Sequence, residues 1–297
     1  MAKTSTLSSK SLRKYRIQAA LIRVFLWVIR LIPFQPRRRF GGWLFGRVVA
    51  PLAGYNKRVV DNLAKVWPEV SPDEAKTLAS RVCRNVGITL TELFSPVEFS
   101  KHVIGMPITG PGLDILKQAQ STGRPTIVVS GHFGNYDAVR ANLIHAGLSV
   151  GGLYRRMNNP YFHEDYIASI SKIGTPLFER GRPGLKEMVT FLRGGGTLAV
   201  LIDQHAKNGE PVTFFGETAY TALSVAELAL KFDAVVVPAY AVRQPDLSYE
   251  ISLEAPIEHS DALQMTQDLN DSLERRVRIN PEQWFWIHRR WKTRKSK

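Results

Sequence analysis

The sequence is poor in cysteine, in acidic residues and in long apolar runs, and each shortage excludes a class of protein. Cys83 is the single cysteine among 297 residues, so neither an internal disulfide nor a cysteine-based zinc site can form. Cys83 lies in a helical pattern and is expected to be a core residue. The 26 acidic residues are outnumbered by 40 basic ones, which gives a net charge of +14. This excess predicts acidic partners: nucleic acid, anionic lipid, a phosphorylated substrate or an acidic protein.

The N-terminal segment lacks an apolar run long enough to span a membrane. Residues 15–34 (YRIQAALIRVFLWVIRLIPF) contain no charge-free run longer than six residues, whereas a spanning helix needs about 20. Arg16, Arg23 and Arg30 are seven residues apart and form one basic stripe on an otherwise apolar helix. We therefore predict a helix in the membrane interface, with its arginines directed toward lipid phosphates. A spanning helix and a buried helix of a soluble core are the alternatives. No signal-peptide cleavage site follows, so a cytoplasmic active domain is expected.

Motifs of several catalytic classes are also missing. There is no G-x-S-x-G nucleophile elbow and no H-x-x-x-H or H-E-x-x-H metal-binding spacing. Residues 194–196 are three glycines, but they precede a strand pattern, which is the wrong side for holding a nucleotide phosphate. We therefore expect no cofactor and no metal, with a metal bound by His132, His205 and Asp203 as the weaker alternative.

Strand and helix patterns alternate from residue 103 onward. Apolar, β-branched runs predict strands, and helix-like stretches separate them. Alternation of this kind predicts an α/β fold with a mixed, largely parallel sheet flanked by helices. The predicted strands cover residues 127–130, 148–153, 198–202 and 235–241, and the predicted helices cover residues 137–146, 160–173, 184–192 and 222–232.

The stretch after the first of these strands carries the strongest chemical pattern. Residues 126–137 (TIVVSGHFGNYD) read as a strand, a glycine turn and a helix start, which delivers His132 to the rim of the sheet. Asp137 in the first helical turn could keep one ring nitrogen of His132 protonated and leave the other free as a base. His205 and Glu210 have the same spacing, and a buried structural histidine is the simpler alternative, so the spacing alone does not select His132.

Further polar clusters follow the next strands, where ligands bind in open α/β sheets. Together with His132 they allow a general base flanked by arginines that hold an anionic substrate. Such a base would deprotonate an acceptor hydroxyl for direct attack on a thioester, whose thiol is a good leaving group. The predicted substrate-binding residues of these clusters are Arg155, Arg156, Asn159, Asp203 and Gln204.

The C-terminal residues 281–294 (PEQWFWIHRRWKTR) mix three tryptophans with basic residues. Such a mixture is found at nucleic-acid surfaces and at membrane interfaces. The third alternative is an aromatic helix that covers the core, followed by a solvated basic tail.

Seven sequence blocks resemble those of the bacterial lipid A biosynthesis acyltransferases, the lauroyl and myristoyl transferases, which share an H-x4-D/E motif with glycerolipid acyltransferases. Together the blocks span roughly residues 125–291 in the expected order. The blocks are GHFGNYD (131–137), YRRMNNP (154–160), GTPLFER (174–180), LRGGGTLAVLIDQ (192–204), TFFG (213–216), VP (237–238) and PEQWFWIHRR (281–290).

The resemblance implies an acyltransferase at the cytoplasmic face of the cell inner membrane. It implies that His132 is the base, Asp137 its orienting acid and Arg180 a contact for an acceptor phosphate. The expected donor is acyl carrier protein, and the expected acceptor is a phosphorylated lipid A precursor at an anionic membrane surface, with no nucleic acid involved. Residues 1–36 are then the membrane anchor, and residues 37–297 form the acyltransferase domain, with a helical lead-in over 37–100 and an α/β core over 101–297.

Two departures from the family pattern keep alternatives open. The best-known lipid A enzymes have glutamate where this chain has Asp137. The phospholipid and phosphatidylinositol mannoside relatives have aspartate at this position, as this chain does. Asp203-Gln204 stands where glycerolipid enzymes have an E-G-T-R block, which favours the lipid A branch. A lysophospholipid or glycolipid acceptor is therefore the second interpretation. A lipid esterase and a non-catalytic basic membrane-binding protein are the alternatives of other classes.

Overall fold

The computed structural model describes residues 9–293, except for the side chains of residues 9, 10, 182 and 183. Twelve α-helices are present in this range, with one π-helical segment (Phe45–Val49) and one 3-10 turn (Pro281–Gln283). The helices are α1 (Ser9–Ile29), α2 (Phe34–Leu44), α3 (Ala50–Leu52), α4 (Tyr55–Val66), α5 (Pro72–Leu93), α6 (Pro96–Val103), α7 (Gly112–Ser121), α8 (Tyr136–His145), α9 (Pro160–Ser171), α10 (Arg182–Arg193), α11 (Ser224–Phe232) and α12 (Ala262–Ile279).

The strands form one large sheet and one separate hairpin. Their bounds are β1 (Ile108–Thr109), β2 (Thr126–Ser130), β3 (Val150–Tyr154), β4 (Leu177–Glu179), β5 (Thr197–Leu201), β6 (Glu210–Phe214), β7 (Glu217–Thr221), β8 (Val235–Arg243) and β9 (Tyr249–Leu253). The seven-stranded sheet has the order β1-β9-β8-β2-β5-β3-β4, and only the β8–β9 pairing is antiparallel. The predicted α/β class with a mixed, largely parallel sheet is confirmed.

Different helices cover the two faces of the sheet. The side chains of β2 alternate between these two faces. Successive side chains of a strand point to opposite faces. Val128 belongs to the core cluster that includes α6, α7 and α8, whereas Ile127 and Val129 belong to the cluster that includes α10, α11 and α12. All five residues of β2 are buried, so the strand that leads to His132 lies at the centre of the molecule.

A third core cluster contains the C-terminal aromatic residues. Trp284, Trp286 and Trp291 pack with Phe214 of the hairpin and with apolar residues of α4 and α5. They are 1%, 0% and 7% exposed, so of the three interpretations of this segment the packing against the core is confirmed. A 3-10 turn, an isolated β-bridge at Trp284 and further turns replace the expected helix. The tail beyond residue 293 lies outside the described residues.

Helix α1 packs against α9 through Arg23, and Arg30, just beyond the helix, binds the end of α5. The Nε atom of Arg23 donates to Asp165 at 2.8 Å, and Nη2 of Arg30 donates to the Phe94 carbonyl at 3.0 Å. These contacts correct the predicted orientation of the stripe toward lipid phosphates, because two of its three arginines bind the protein. Among residues 9–293 no helix is long and apolar enough to cross a membrane. Interfacial binding by α1 and the division at residue 36, which falls inside α2, stay predictions.

Candidate active site

The register of two neighbouring strands brings His132 beside Asp203. Strands β2 and β5 are parallel neighbours, and Ser130 lies opposite Leu201 in the ladder. His132 and Asp203 each follow two residues after these paired positions. Because carboxyl ends of parallel strands meet at the same edge of a sheet, the two side chains meet there as well.

His132 is bound to Asp203 at two points. The Nδ1 atom of the ring lies 2.7 Å from Oδ1 of Asp203, and the backbone N–H of His132 donates to Oδ2 at 2.8 Å. The indole Nε1 of Trp284 donates to the same Oδ2 at 2.8 Å. Burial disfavours ionisation of Asp203, but the charge and hydrogen bonds of His132 outweigh it, and the pKa of the carboxyl lies well below its usual value. An ionised Asp203 accepts a hydrogen bond from Nδ1–H of the ring, so in the neutral imidazole the proton lies on Nδ1 and Nε2 carries the free lone pair.

Asp137 does not take the position that the sequence predicts for it. Its Oδ1 accepts from Nε of Arg140 at 3.0 Å, and among the described residues the carboxylate bound to His132 is that of Asp203. Arg140 also donates to the carbonyls of Ile170 and Gly174. Asp137 therefore ties the start of α8 to the end of α9, and the predicted orienting contact with His132 is corrected.

Two further side chains contact the His132 ring. The ring of His288 lies 4.8 Å away, centroid to centroid and nearly perpendicular. Burial, followed by the nearby charge of His132, lowers the pKa of His288 from 6.5 to about 4, so His288 is neutral near pH 7. Nε2 of Gln204 lies 3.4 Å from Nε2 of His132, a long contact from a donor to the unprotonated nitrogen.

The C-terminal segment pairs with the loop that carries His132. The backbone N–H of Gly134 donates to the Gln283 carbonyl at 2.9 Å, and the N–H of Phe285 donates to the His132 carbonyl at 2.9 Å. Gly134 has a φ of 55°, and a Cβ atom there would stand 1.9 Å from the Ala241 carbonyl oxygen. Only glycine fits this close approach of two backbone segments.

A buried ionic network fixes the same loop from the other side. Glu92 is fully buried and accepts from Arg38, Arg243 and Tyr249. It also accepts from Nδ2 of Asn135 at 3.0 Å, while Oδ1 of Asn135 accepts the N–H of Asp137 and caps α8. The network therefore connects α2, α5, β8 and β9 to the first turn of the helix behind His132.

His132 lines a cavity of about 560 Å³. Apolar side chains from α5, α8, α9 and the sheet line much of this cavity, together with charged and polar residues. The apolar lining includes Leu90, Leu93, Phe94, Val128, Val139, Leu143, Phe162, Ile170 and Ala199, and the polar lining includes Ser130, Tyr136, Asp137, Arg140, Asn158 and Gln204. Such a cavity suits an apolar chain whose polar end lies at His132.

The predicted substrate-binding arginines lie at this cavity. Arg155, Arg156 and Arg180 are exposed residues of its lining. Nη2 of Arg155 donates to Asn158 at 3.0 Å, and Nη1 of Arg156 is 3.8 Å from Glu179. These surface contacts are weak and leave the guanidinium groups available for a phosphate.

Asn159 and Asp203 have contacts other than the predicted substrate contacts. Oδ1 of Asn159 accepts the backbone N–H groups of Tyr161 and Phe162 and caps α9, while its Nδ2 donates to Tyr15 in α1. Asp203 is fully buried behind His132. Neither residue belongs to the cavity lining, so the structure gives both a supporting position. Of the neighbours Asp203 and Gln204, Gln204 lines the cavity.

His205 follows Asp203 in the chain but lies outside the cavity lining, against the ring of Tyr220 at 6.1 Å. Burial lowers the pKa of His205, and the charges of Lys292 and Arg290 act in the same direction. Within residues 9–293 no group of three or more His, Cys, Asp or Glu side chains has an arrangement that could hold a metal ion.

Sequence comparisons agree with this geometry. The family model described as bacterial lipid A biosynthesis acyltransferase matches residues 6–293. A lipid A biosynthesis acyltransferase of Haemophilus influenzae is 28% identical over 287 residues, covering 91% of this chain and 89% of the relative. The lipid A biosynthesis palmitoleoyltransferase of Escherichia coli K12 is 25% identical over 276 residues, with the same coverage. A phosphatidylinositol mannoside acyltransferase of Mycobacterium tuberculosis is 21% identical over 185 residues, covering 61% of this chain and 58% of the relative.

Proposed function

Because the chain belongs to the bacterial lipid A biosynthesis acyltransferase family, we propose that it transfers a fatty acyl chain from acyl carrier protein to a Kdo-lipid A precursor. The acceptor group is a sugar hydroxyl or the hydroxyl of an acyl chain already attached. The observation that carries the proposal is His132, held by the buried Asp203, in the wall of a cavity that apolar side chains and three arginines also line.

His132 acts as the general base in this proposal. Asp203 accepts a hydrogen bond from Nδ1–H and keeps the proton of the neutral ring on that side. The free Nε2 then takes the proton of the acceptor hydroxyl as that oxygen attacks the thioester. The thiol leaves readily because its pKa is about 8.5. No covalent enzyme intermediate is needed, and Asp203 acts by fixing the tautomer and orientation of the ring.

The cavity is proposed to hold the acyl chain, and the arginines at its mouth are proposed to hold the acceptor. The apolar residues of α5, α8 and α9 shield a hydrocarbon chain from water. Arg155, Arg156 and Arg180 offer three planar guanidinium groups, which bind phosphate oxygens in pairs. A lipid A precursor carries two phosphates and acidic sugars, so it can occupy all three.

The enzyme is proposed to work at the cytoplasmic face of the inner membrane, bound through the exposed side of α1. Leu21, Val24, Trp27 and Leu31 are 66%, 61%, 65% and 71% exposed. Leu21, Val24 and Trp27 recur at three-residue intervals and share one face of α1, and Leu31 follows two residues after the helix ends. Trp43 in α2 and Leu52 in α3 are also exposed, at 53% and 85%. The net charge of +14 favours anionic headgroups.

One assay tests the reaction against its alternatives. The purified protein receives an acyl thioester of acyl carrier protein with and without a Kdo-lipid A precursor, and the products are separated as acyl lipid, free fatty acid or unchanged thioester. Acyl lipid formed only with the precursor is the expected result. Free acid in both reactions would identify an esterase, and unchanged thioester in both would favour a non-catalytic membrane-binding protein.

A phospholipid or phosphatidylinositol mannoside acceptor is the second candidate, because of Asp137 and the similarity to the mycobacterial enzyme. The same assay separates the two when lysophosphatidic acid and a mannosylated phosphatidylinositol replace the precursor. Efficient acylation of either, with no turnover of the lipid A precursor, would overturn the proposed acceptor and keep the proposed chemistry.

A further inference from the structure

Ser130, the last residue of β2, has a buried hydroxyl without a hydrogen-bond partner. The side chain is 6% exposed, and its Oγ makes no hydrogen bond to any residue from 9 to 293. A buried hydroxyl that lost its water and found no partner is destabilising. Position 130 in an otherwise apolar strand would accept valine or alanine at no such cost.

The alternation of β2 directs this hydroxyl into the active-site cavity. Ile127 and Val129 pack on the opposite face, whereas Val128, Ser130 and His132 all line the cavity. Eight buried side-chain atoms lack a hydrogen-bond partner in the described part of the chain, and they belong to Arg38, Ser100, Ser130, His163, His205, Ser252, His288 and Arg290. Ser130 is the only residue of this set in the cavity lining.

We propose that Ser130 Oγ–H donates a hydrogen bond to the carbonyl oxygen of the acyl thioester and stabilises the negative charge that this oxygen acquires during transfer. The inference rests on the proposed acyl transfer. A carbonyl oxygen is a pure acceptor, which matches a hydroxyl with an unused proton. Because Ser130 and His132 lie on the same side of the strand end, donor and base face one substrate carbon from one wall of the cavity.

The proposed step balances in atoms and electrons. The acceptor oxygen forms a bond to the carbonyl carbon while its proton passes to Nε2 of His132, and the carbonyl π electrons move to oxygen, where Ser130 donates its hydrogen bond. The pair then returns to re-form the carbonyl, the carbon–sulfur bond breaks, and the thiolate takes the proton from the imidazolium. Ester and free thiol are the products, and Ser130 keeps its own proton throughout.

Ser252 provides a matched control. It is also buried, at 8% exposure, and its Oγ also lacks a hydrogen-bond partner, but it lies in β9 and is absent from the cavity lining. Ser252→Ala therefore makes the same chemical change at a second buried hydroxyl without a hydrogen-bond partner, outside the cavity.

The experiment measures kcat, KM and the unfolding midpoint for wild type, Ser130→Ala and Ser252→Ala, with acyl carrier protein thioester and the lipid A precursor. Loss of one donor to a developing oxyanion typically lowers kcat on the order of 10²-fold. We expect that fall in Ser130→Ala, with KM within about twofold because the contact strengthens in the transition state. Its unfolding midpoint should stay the same or rise, because an unpaired hydroxyl is removed. Ser252→Ala should keep the wild-type kcat.

Each other outcome overturns the assignment. A wild-type kcat in Ser130→Ala would show that the proposed hydrogen bond does not stabilise the transition state. A raised KM with unchanged kcat would show that the hydroxyl contacts only the bound substrate. A fall in both kcat and the unfolding midpoint gives the hydroxyl a structural role. A wild-type protein that transfers no acyl chain to any acceptor overturns the proposed function itself, which the unmutated reaction reveals before any variant is compared.

Discussion

The Nε2 atom of His132 is the base of the proposed transfer, so His132→Ala should lower the transfer rate on the order of 10²–10⁴-fold. The fold should remain, because the side chain lies at the cavity rim and is 25% exposed. Steady-state transfer and circular dichroism of the purified variant check both expectations. His205→Ala is the matched control: it removes the same ring from the end of the neighbouring strand, outside the cavity, and should keep most of the activity. A His132→Ala enzyme as active as wild type would end the assignment of the base.

The buried His288 should make stability depend on pH between about 4 and 6.5. The ring binds a proton near pH 4 in the folded protein and near pH 6.5 when unfolded, so the unfolded state holds more protons between these values. The free energy of unfolding therefore falls as the pH is lowered through this range, by up to about 1.4 kcal/mol per pH unit from this group. His288→Phe should reduce the slope seen in urea denaturation, and replacement of the exposed His145 by Phe should not. Equal slopes in wild type and His288→Phe would contradict the buried neutral ring.

Helices α2 and α5 and strands β8 and β9 meet at the buried Glu92, so Glu92→Gln should destabilise the protein by about 3–5 kcal/mol. The substitution keeps the shape but leaves the guanidinium groups of Arg38 and Arg243 without a countercharge in the core. Urea denaturation measures the loss. Asp61→Asn is the control, since Asp61 and its partner Lys57 are 58% and 79% exposed, and an ion pair at the surface contributes about 0–1 kcal/mol. Similar losses for the two variants would show that the network is not a stabilising element.

Most elements of the sheet could be predicted from the sequence, because apolar β-branched runs bounded by glycine identify long buried strands. The predicted strands at 127–130, 148–153, 198–202 and 235–241 correspond to β2, β3, β5 and β8. The missed strands are of another kind. Strands β1 and β4 have two and three residues, which is too short for a period to be visible, and hairpin β6–β7 packs on tryptophans far away in the sequence. Strand β9 was missed as well, although its five residues (YEISL) alternate between apolar and polar.

The site was predicted less completely, because sequence spacing describes neighbours along the chain and the site is built across the sheet. Asp137 is five residues from His132 and was expected to orient it, but the carboxylate that binds His132 comes from a strand 71 positions away. The signal that identifies Asp203 is its place two residues beyond a strand end, as for His132. No pattern near Trp284 or Glu92 in the sequence predicts their contacts with the site, because both contacts depend on how whole elements pack.

At the scale of the molecule, the apolar face of α1 should bind membranes. Leu31→Gln combined with Trp27→Gln should weaken sedimentation with vesicles of anionic lipid by about tenfold or more, because each removes apolar area from the interface. The control is Ile279→Gln at the end of α12, where an isoleucine 72% exposed matches the 71% of Leu31 in an unrelated place. An unchanged distribution of the double variant between vesicles and supernatant would show that another surface of the protein binds the membrane.

The net charge of +14 should also select the acyl donor. Acyl carrier proteins are acidic, so a basic partner steers their approach, and added salt weakens that attraction. The transfer rate with acyl carrier protein should therefore fall between low and physiological ionic strength more steeply than the rate with a coenzyme A thioester. Initial rates measured over a salt series with both donors test this expectation. The same salt dependence for both donors would show that charge does not determine the choice of donor.

The loop that carries His132 pairs with a segment near the C-terminus, so the surroundings of His132 are completed late in synthesis. A chain growing on the ribosome completes His132 about 150 residues before Trp284 and Phe285, which is on the order of ten seconds at ordinary elongation rates. Until the C-terminal segment is made, the His132 carbonyl lacks its Phe285 donor and Asp203 Oδ2 lacks its Trp284 donor. The hydrogen bonds around His132 are therefore completed only late in synthesis, by residues that follow the α/β sheet in the chain.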